Sequence, residues 1–161
     1  MYKVLDNFLP SSTLSNLLKK VEKSEKNKCS WFEYPAALEY QQAILEEAAG
    51  YVSLSNCVGF EEWVHYPPFT QLPLYHYDKD EYLYEKRKAL KFPLCSCILY
   101  LNIQDLKGAE LYISDAGTVI TPETNKLVLM QPGVLHTVFR YQTGTRVSIN
   151  INPWDYPLKL S

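Results

Sequence analysis

The first third of the chain carries helical spacing of its apolar residues, and the remainder carries strand spacing. After Pro10, with Ser11 and Ser12 as candidate N-caps, Leu14, Leu17, Leu18 and Val21 recur on one helix face. The polar run 23–28 closes that helix as a solvated end. A second helix is predicted from Pro35 through Ala36, Leu38, Ile44, Leu45 and Ala48, with Gly50 as its C-terminal cap. From Cys57 the texture changes to short β-type runs punctuated by Pro, Gly, Asn and Asp, at 58–66, 92–102, 110–113, 126–131, 136–141 and 145–151. Two helices followed by at least six closely spaced strands predict a mainly β fold, a barrel or jelly roll with N-terminal helices packed on one face. The stretch 79–91, rich in charge and Tyr, reads as the one long irregular connection.

Two of these strands have an unusual face. In 145–151 and just beyond, alternation puts Arg146, Ser148, Asn150 and Asn152 on one side and Val147, Ile149 and Ile151 on the other. Such a polar face suits either the solvent side of an edge strand or a barrel cavity holding an anion, for which the planar, always charged guanidinium is a fitting partner. In 92–102, Ser96, Ile98 and Tyr100 oppose Cys95, Cys97, Leu99 and Leu101. The Tyr100 hydroxyl could serve a bound carboxylate or a routine backbone acceptor.

The chain has only three histidines. His76 and Asp78 are separated by one residue, so in an extended segment both side chains leave the same face. His136 opens a later strand after the turn-forming Gln131-Pro132-Gly133. Two imidazoles and one carboxylate make the facial triad of non-haem Fe(II) oxygenases.

Composition narrows the alternatives. The 161 residues suit a single domain over 1–161, with helical support at about 1–56 and a β core at about 57–154; 47% hydrophobic content excludes disorder. Sixteen basic against eighteen acidic residues leave a net charge of -2, so no overall field would hold nucleic acid. No run is apolar enough to span a bilayer and the start lacks a signal-peptide layout, which predicts a soluble cytoplasmic protein with no membrane partner. The four cysteines are too few and too irregular for a disulfide framework.

His76-x-Asp78, His136 and Arg146, in that order, resemble the Fe(II)- and 2-oxoglutarate (2OG)-dependent dioxygenases of the prolyl 4-hydroxylase type. Tyr66 in a Tyr-Pro-rich turn, Leu99-Tyr100-Leu101-Asn102, Gly108-Ala109-Glu110-Leu111 and Trp154 extend the likeness, with Ala109 standing where many members have a second glycine. The resemblance implies a double-stranded β-helix with His76, Asp78 and His136 as iron ligands. It further implies Arg146 as the partner of the distal 2OG carboxylate, helped by Tyr100 and Tyr66. The cofactor set is then Fe(II), with 2OG and O2 as cosubstrates and ascorbate as a further candidate. The implied activity is a hydroxylase of prolyl residues in a peptide or protein, the alternative being a free amino acid or other small metabolite. His65, by alternation opposite Tyr66, is assigned a structural or surface role, and 79–91 is a candidate substrate lid. A non-catalytic β-barrel binding module and a cupin-like metalloenzyme without cosubstrate are the competing classes.

Overall fold

The computed structural model describes residues 1–26, 28–66 and 74–160. Along the chain these form β1 (Tyr2–Leu5), α1 (Ser11–Glu22), β2 (Cys29–Glu33), α2 (Glu39–Tyr51), β3 (Gly59–His65), α3 (Glu81–Arg87), β4 (Ser96–Lys107), β5 (Leu111–Ile113), β6 (Thr118–Ile120), β7 (Leu127–Met130), β8 (His136–Val138) and β9 (Thr143–Trp154). Six strands make one sheet in the order β1-β7-β4-β9-β3-β2, and three make a second in the order β6-β5-β8. All pairings are antiparallel. The small sheet faces the large one, and α1 and α2 cover the large sheet's other side. This is the double-stranded β-helix architecture with helices on one face.

Alternation along the central strands builds two cores from one sheet. Cys97, Leu99 and Leu101 of β4 and Val147, Ile149 and Ile151 of β9 join Leu17, Val21, Ile44 and Ala48 from the helices. On the opposite face Ile98 and Tyr100 meet Leu111, Ile113, Val128 and Met130 between the sheets. Each fully buried aliphatic side chain contributes about 1.5–3 kcal/mol, so the helix-side core carries much of the stability while the inner face is left freer for polar groups.

The N-terminal third is less purely helical than its spacing predicts. β1 pairs with β7 and β2 with β3, widening the large sheet at both edges. Ser11 and Ser12 lie inside α1, whose N-cap is Pro10 with no side-chain cap bond. α2 begins at Glu39, past the predicted start, and includes Gly50, its C-cap being Val52. The supposedly irregular stretch 79–91 holds α3, because Asp80 caps it: the Leu83 amide donates to Asp80 Oδ1 at 2.8 Å. The Tyr156 hydroxyl donates to the other carboxylate oxygen at 2.7 Å, fastening the C-terminal tail to this helix. Among the described residues, no helix is long and apolar enough to cross a membrane. The prolines of the turn after Tyr66 lie outside the described residues.

Candidate active site

One backbone contact brings the predicted triad together. His76 and His136 form an antiparallel bridge, each amide donating to the other's carbonyl at 2.9 and 3.1 Å. In such a hydrogen-bonded pair the two side chains leave the same face, and the imidazole centroids lie 4.4 Å apart. Because the segment is extended, Asp78 emerges beside His76 while Tyr77 turns away onto Phe92.

Both imidazoles are oriented in the same way. His76 Nδ1 lies 2.9 Å from the Leu74 carbonyl, and His136 Nδ1 lies 2.9 Å from the Val134 carbonyl. A carbonyl can only accept, so each Nδ1 carries a proton, which leaves Nε2 as the nitrogen that offers a lone pair in the neutral ring. Those two Nε2 atoms lie 3.9 and 3.8 Å from Asp78 Oδ1, and the three potential ligand atoms all fall within 4.8 Å of one another. Two neutral imidazole lone pairs and a carboxylate oxygen, with the outer nitrogens already tied, form a donor set shaped for a divalent cation. Asp78 Oδ2, buried and without a hydrogen-bond partner among the described residues, adds an acceptor that a cation would satisfy. The triad is open on one side: the His76 side chain is 47% exposed, those of His136 and Asp78 only 5% and 11%.

A cavity of about 300 Å³ runs inward from the triad, a size suited to a small ligand. Arg146, 3% exposed, also lines it, and its Nη1 donates to Ser148 Oγ at 3.3 Å. The guanidinium lies over the Tyr100 ring, 5.1 Å from the centroid. Tyr100 is fully buried; desolvation raises its pKa against the lowering influence of Arg146, so the phenol is held neutral as a hydroxyl donor. The strand register explains the lining. Ser148 and Asn150 of β9 lie opposite His65 and Trp63 of β3, and all four side chains face the cavity. Ile98, Leu111 and Val138 supply an apolar wall.

The phase of β3 differs from the expected one. His65 faces the cavity, and Tyr66 faces the helices, where its hydroxyl donates to the Val21 carbonyl at 2.8 Å. The structure therefore does not bring Tyr66 to Arg146. His65 replaces it: its Nε2 is buried with no hydrogen-bond partner among the described residues. Burial, reinforced by the Arg146 charge, pushes its pKa down to about 4, so the imidazole is neutral at physiological pH. The available signal was the set of odd positions, Glu61, Trp63 and His65. It was obscured by Glu62, a charged residue on the helix side that is satisfied there by the Tyr40 hydroxyl at 3.0 Å and Gln41 Nε2 at 2.7 Å.

The sequence matches no protein-family model and no curated protein. Its three-dimensional structure does match. A viral collagen prolyl hydroxylase from Paramecium bursaria Chlorella virus-1, solved as a 2OG complex, superposes with a TM-score of 0.66 over 95% of each chain at 18% identity. The chain has the prolyl hydroxylase fold. A prolyl 4-hydroxylase of Pseudomonas putida superposes with a TM-score of 0.65 at 20% identity, covering 95% of this chain and 84% of that one. A Trichoplax adhaerens prolyl hydroxylase, solved with a peptide fragment of the hypoxia-inducible factor oxygen degradation domain, gives 0.57 at 17% identity, covering 96% and 83%. Within that fold, the triad sits where β8 meets the chain entering from β3, and Arg146 sits on the neighbouring face of the large sheet.

Proposed function

We propose that this protein is an Fe(II)- and 2OG-dependent dioxygenase that hydroxylates prolyl residues of a peptide or protein. The observation that carries the reading is one cavity lined both by the convergent His76 and His136 Nε2 atoms and Asp78 Oδ1 and by the buried guanidinium of Arg146. The fold shared with prolyl hydroxylases supports the substrate class.

On this reading His76, Asp78 and His136 hold Fe(II), which when bound supplies the redox chemistry coupling 2OG decarboxylation to hydroxylation. The overall change balances as substrate C–H plus O2 plus 2OG giving C–OH, succinate and CO2. The chain's own groups do the positioning. Arg146 pairs with the distal carboxylate of 2OG, and the neutral Tyr100 hydroxyl and Ser148 flank that contact. The carbonyls of Leu74 and Val134 hold the proton on each Nδ1 and so keep both Nε2 atoms available. Ile98, Leu111 and Val138 exclude water from the cosubstrate, which strengthens its pairing with Arg146. O2 is the remaining cosubstrate, and ascorbate stays a candidate reductant.

The test is turnover with Fe(II), 2OG and proline-containing peptides, read by mass spectrometry. The reading expects succinate together with one oxygen atom added to a prolyl residue. Succinate with the oxygen on another residue would move the substrate class, and no 2OG consumption with any substrate would remove the oxygenase reading.

A further inference from the structure

A second cavity, of about 370 Å³, opens on the other side of the triad. It shares Trp63, His65, His76 and Asp78 with the first and extends along β3 to Glu61, with Tyr82 of α3 also in its lining. The odd residues of β3 thus line a continuous path from the metal residues to a carboxylate. Glu61 is 7% exposed. Its Oε1 accepts from Asn152 Nδ2 at 3.2 Å and from Trp154 Nε1 at 3.3 Å. Among the described residues its Oε2 receives the Cys29 thiol at 3.7 Å, a weak donor. Among the described residues no Lys, Arg or His forms an ion pair with Glu61, although a buried acid ordinarily has such a partner.

Two lysines also line the cavity, and both are engaged away from Glu61. Lys79 donates to Glu81 at 2.8 Å and lies over the Tyr84 ring, and Lys159 lies 5.1 Å over the Tyr82 ring. Among the described residues the cavity thus holds, beside the Trp63 indole, an acid with no ion-pair partner, in one lining with His76 and Asp78 of the triad. Burial pushes the Glu61 carboxyl up to about 7, against the lowering hydrogen bonds from Asn152 and Trp154 and with the Asp78 charge adding to the rise.

We propose that this cavity is the substrate side of the active site and that it takes a peptide carrying a Lys or Arg side chain close to the residue hydroxylated. The ammonium or guanidinium pairs with Glu61 Oε2 and packs against Trp63, while the reacting residue lies at the triad. The proposal rests on the oxygenase reading for its account of the triad end, and its Glu61 end is tested independently of that reading.

The experiment measures binding of an Arg-Pro-containing peptide and of its citrulline counterpart, isosteric but uncharged. Both are titrated calorimetrically into metal-free protein and into protein loaded with Zn(II) and N-oxalylglycine, an unreactive 2OG analogue. The proposal expects the Arg peptide to bind about tenfold or more tightly than the citrulline peptide in both forms, the scale of one charge-assisted hydrogen bond. In Glu61→Gln, which keeps an oxygen for Asn152 and Trp154, that preference disappears; in Glu61→Asp it persists in part. Circular dichroism confirms that both variants fold. Equal affinities of the two peptides for the wild-type protein, or no binding of either, overturns the proposal. Failure to take up Zn(II) or N-oxalylglycine, with the Arg preference intact in the metal-free protein, overturns the oxygenase reading and leaves the Glu61 site standing.

Discussion

The two ends of the inner cavity solve opposite electrostatic problems with opposite materials. At the triad end the groups are acceptors, preset by backbone carbonyls that hold both imidazoles as Nδ1–H tautomers, and one face is open. At the other end a permanent cation is buried at 3% exposure against Tyr100 and Ser148. On the proposed function the first arrangement takes a cation and the second the carboxylate of the cosubstrate. His65, held neutral by burial, lines the same cavity and feels both the Arg146 and the Asp78 charge. On that reading, a small molecule that chelates a metal and ends in a carboxylate joins them.

The largest effect that separates the ends is expected from Asp78→Ala. It removes the only anionic ligand atom, so Fe(II) or Mn(II) affinity falls by more than about 100-fold, beyond what outer-shell partners typically cost; calorimetry with each metal measures it. Arg146→Ala does the reverse, leaving metal affinity unchanged and weakening 2OG binding by about 2–5 kcal/mol, the usual consequence of truncating one member of a buried charge pair. If both variants lost both ligands, the two ends would not be separate devices.

His65, between the ends, gives a pH test. Its folded pKa of about 4 lies below the ordinary 6.5, so on acidification the unfolded chain takes up this proton first. Stability tied to His65 is complete above pH 6.5 and is lost as pH falls toward 4, by up to about 3 kcal/mol. In metal-free protein, His65→Asn should flatten that part of the pH–stability curve in denaturant unfolding. An unchanged slope would mean that the imidazole is not held neutral by the cavity. The smallest expected effect is Tyr66→Phe, which costs about 1 kcal/mol for the bond to Val21 and leaves 2OG affinity unchanged.

That last pair shows what was legible in the sequence. The alternation of β4 and β9 is strict on their apolar faces, so the sequence put Arg146 and Ser148 on one face and Tyr100 opposite Leu99 and Leu101; that the Arg146 face lines a cavity rather than solvent came only from the sheet order. The β3 strand has Glu61 and Glu62 side by side, one facing the cavity and one facing a polar pocket in the helix layer. Period-two reading has no phase there, and His65 and Tyr66 exchange places. The pairing of His76 with His136 is a long-range backbone contact that no local pattern encodes. β1, β2 and β6 are edge strands too short or too mixed to announce themselves, and α3 depends on a single Asp80 cap within a polar stretch.

The most direct test of the central claim is anaerobic titration of 2OG into Fe(II)-loaded protein, followed by the weak visible charge-transfer band of a metal-bound 2-keto acid. The account predicts a saturable band in the wild type and a strongly right-shifted titration in Arg146→Ala that still binds iron. Iron binding without any band, or a titration indifferent to Arg146, would contradict it.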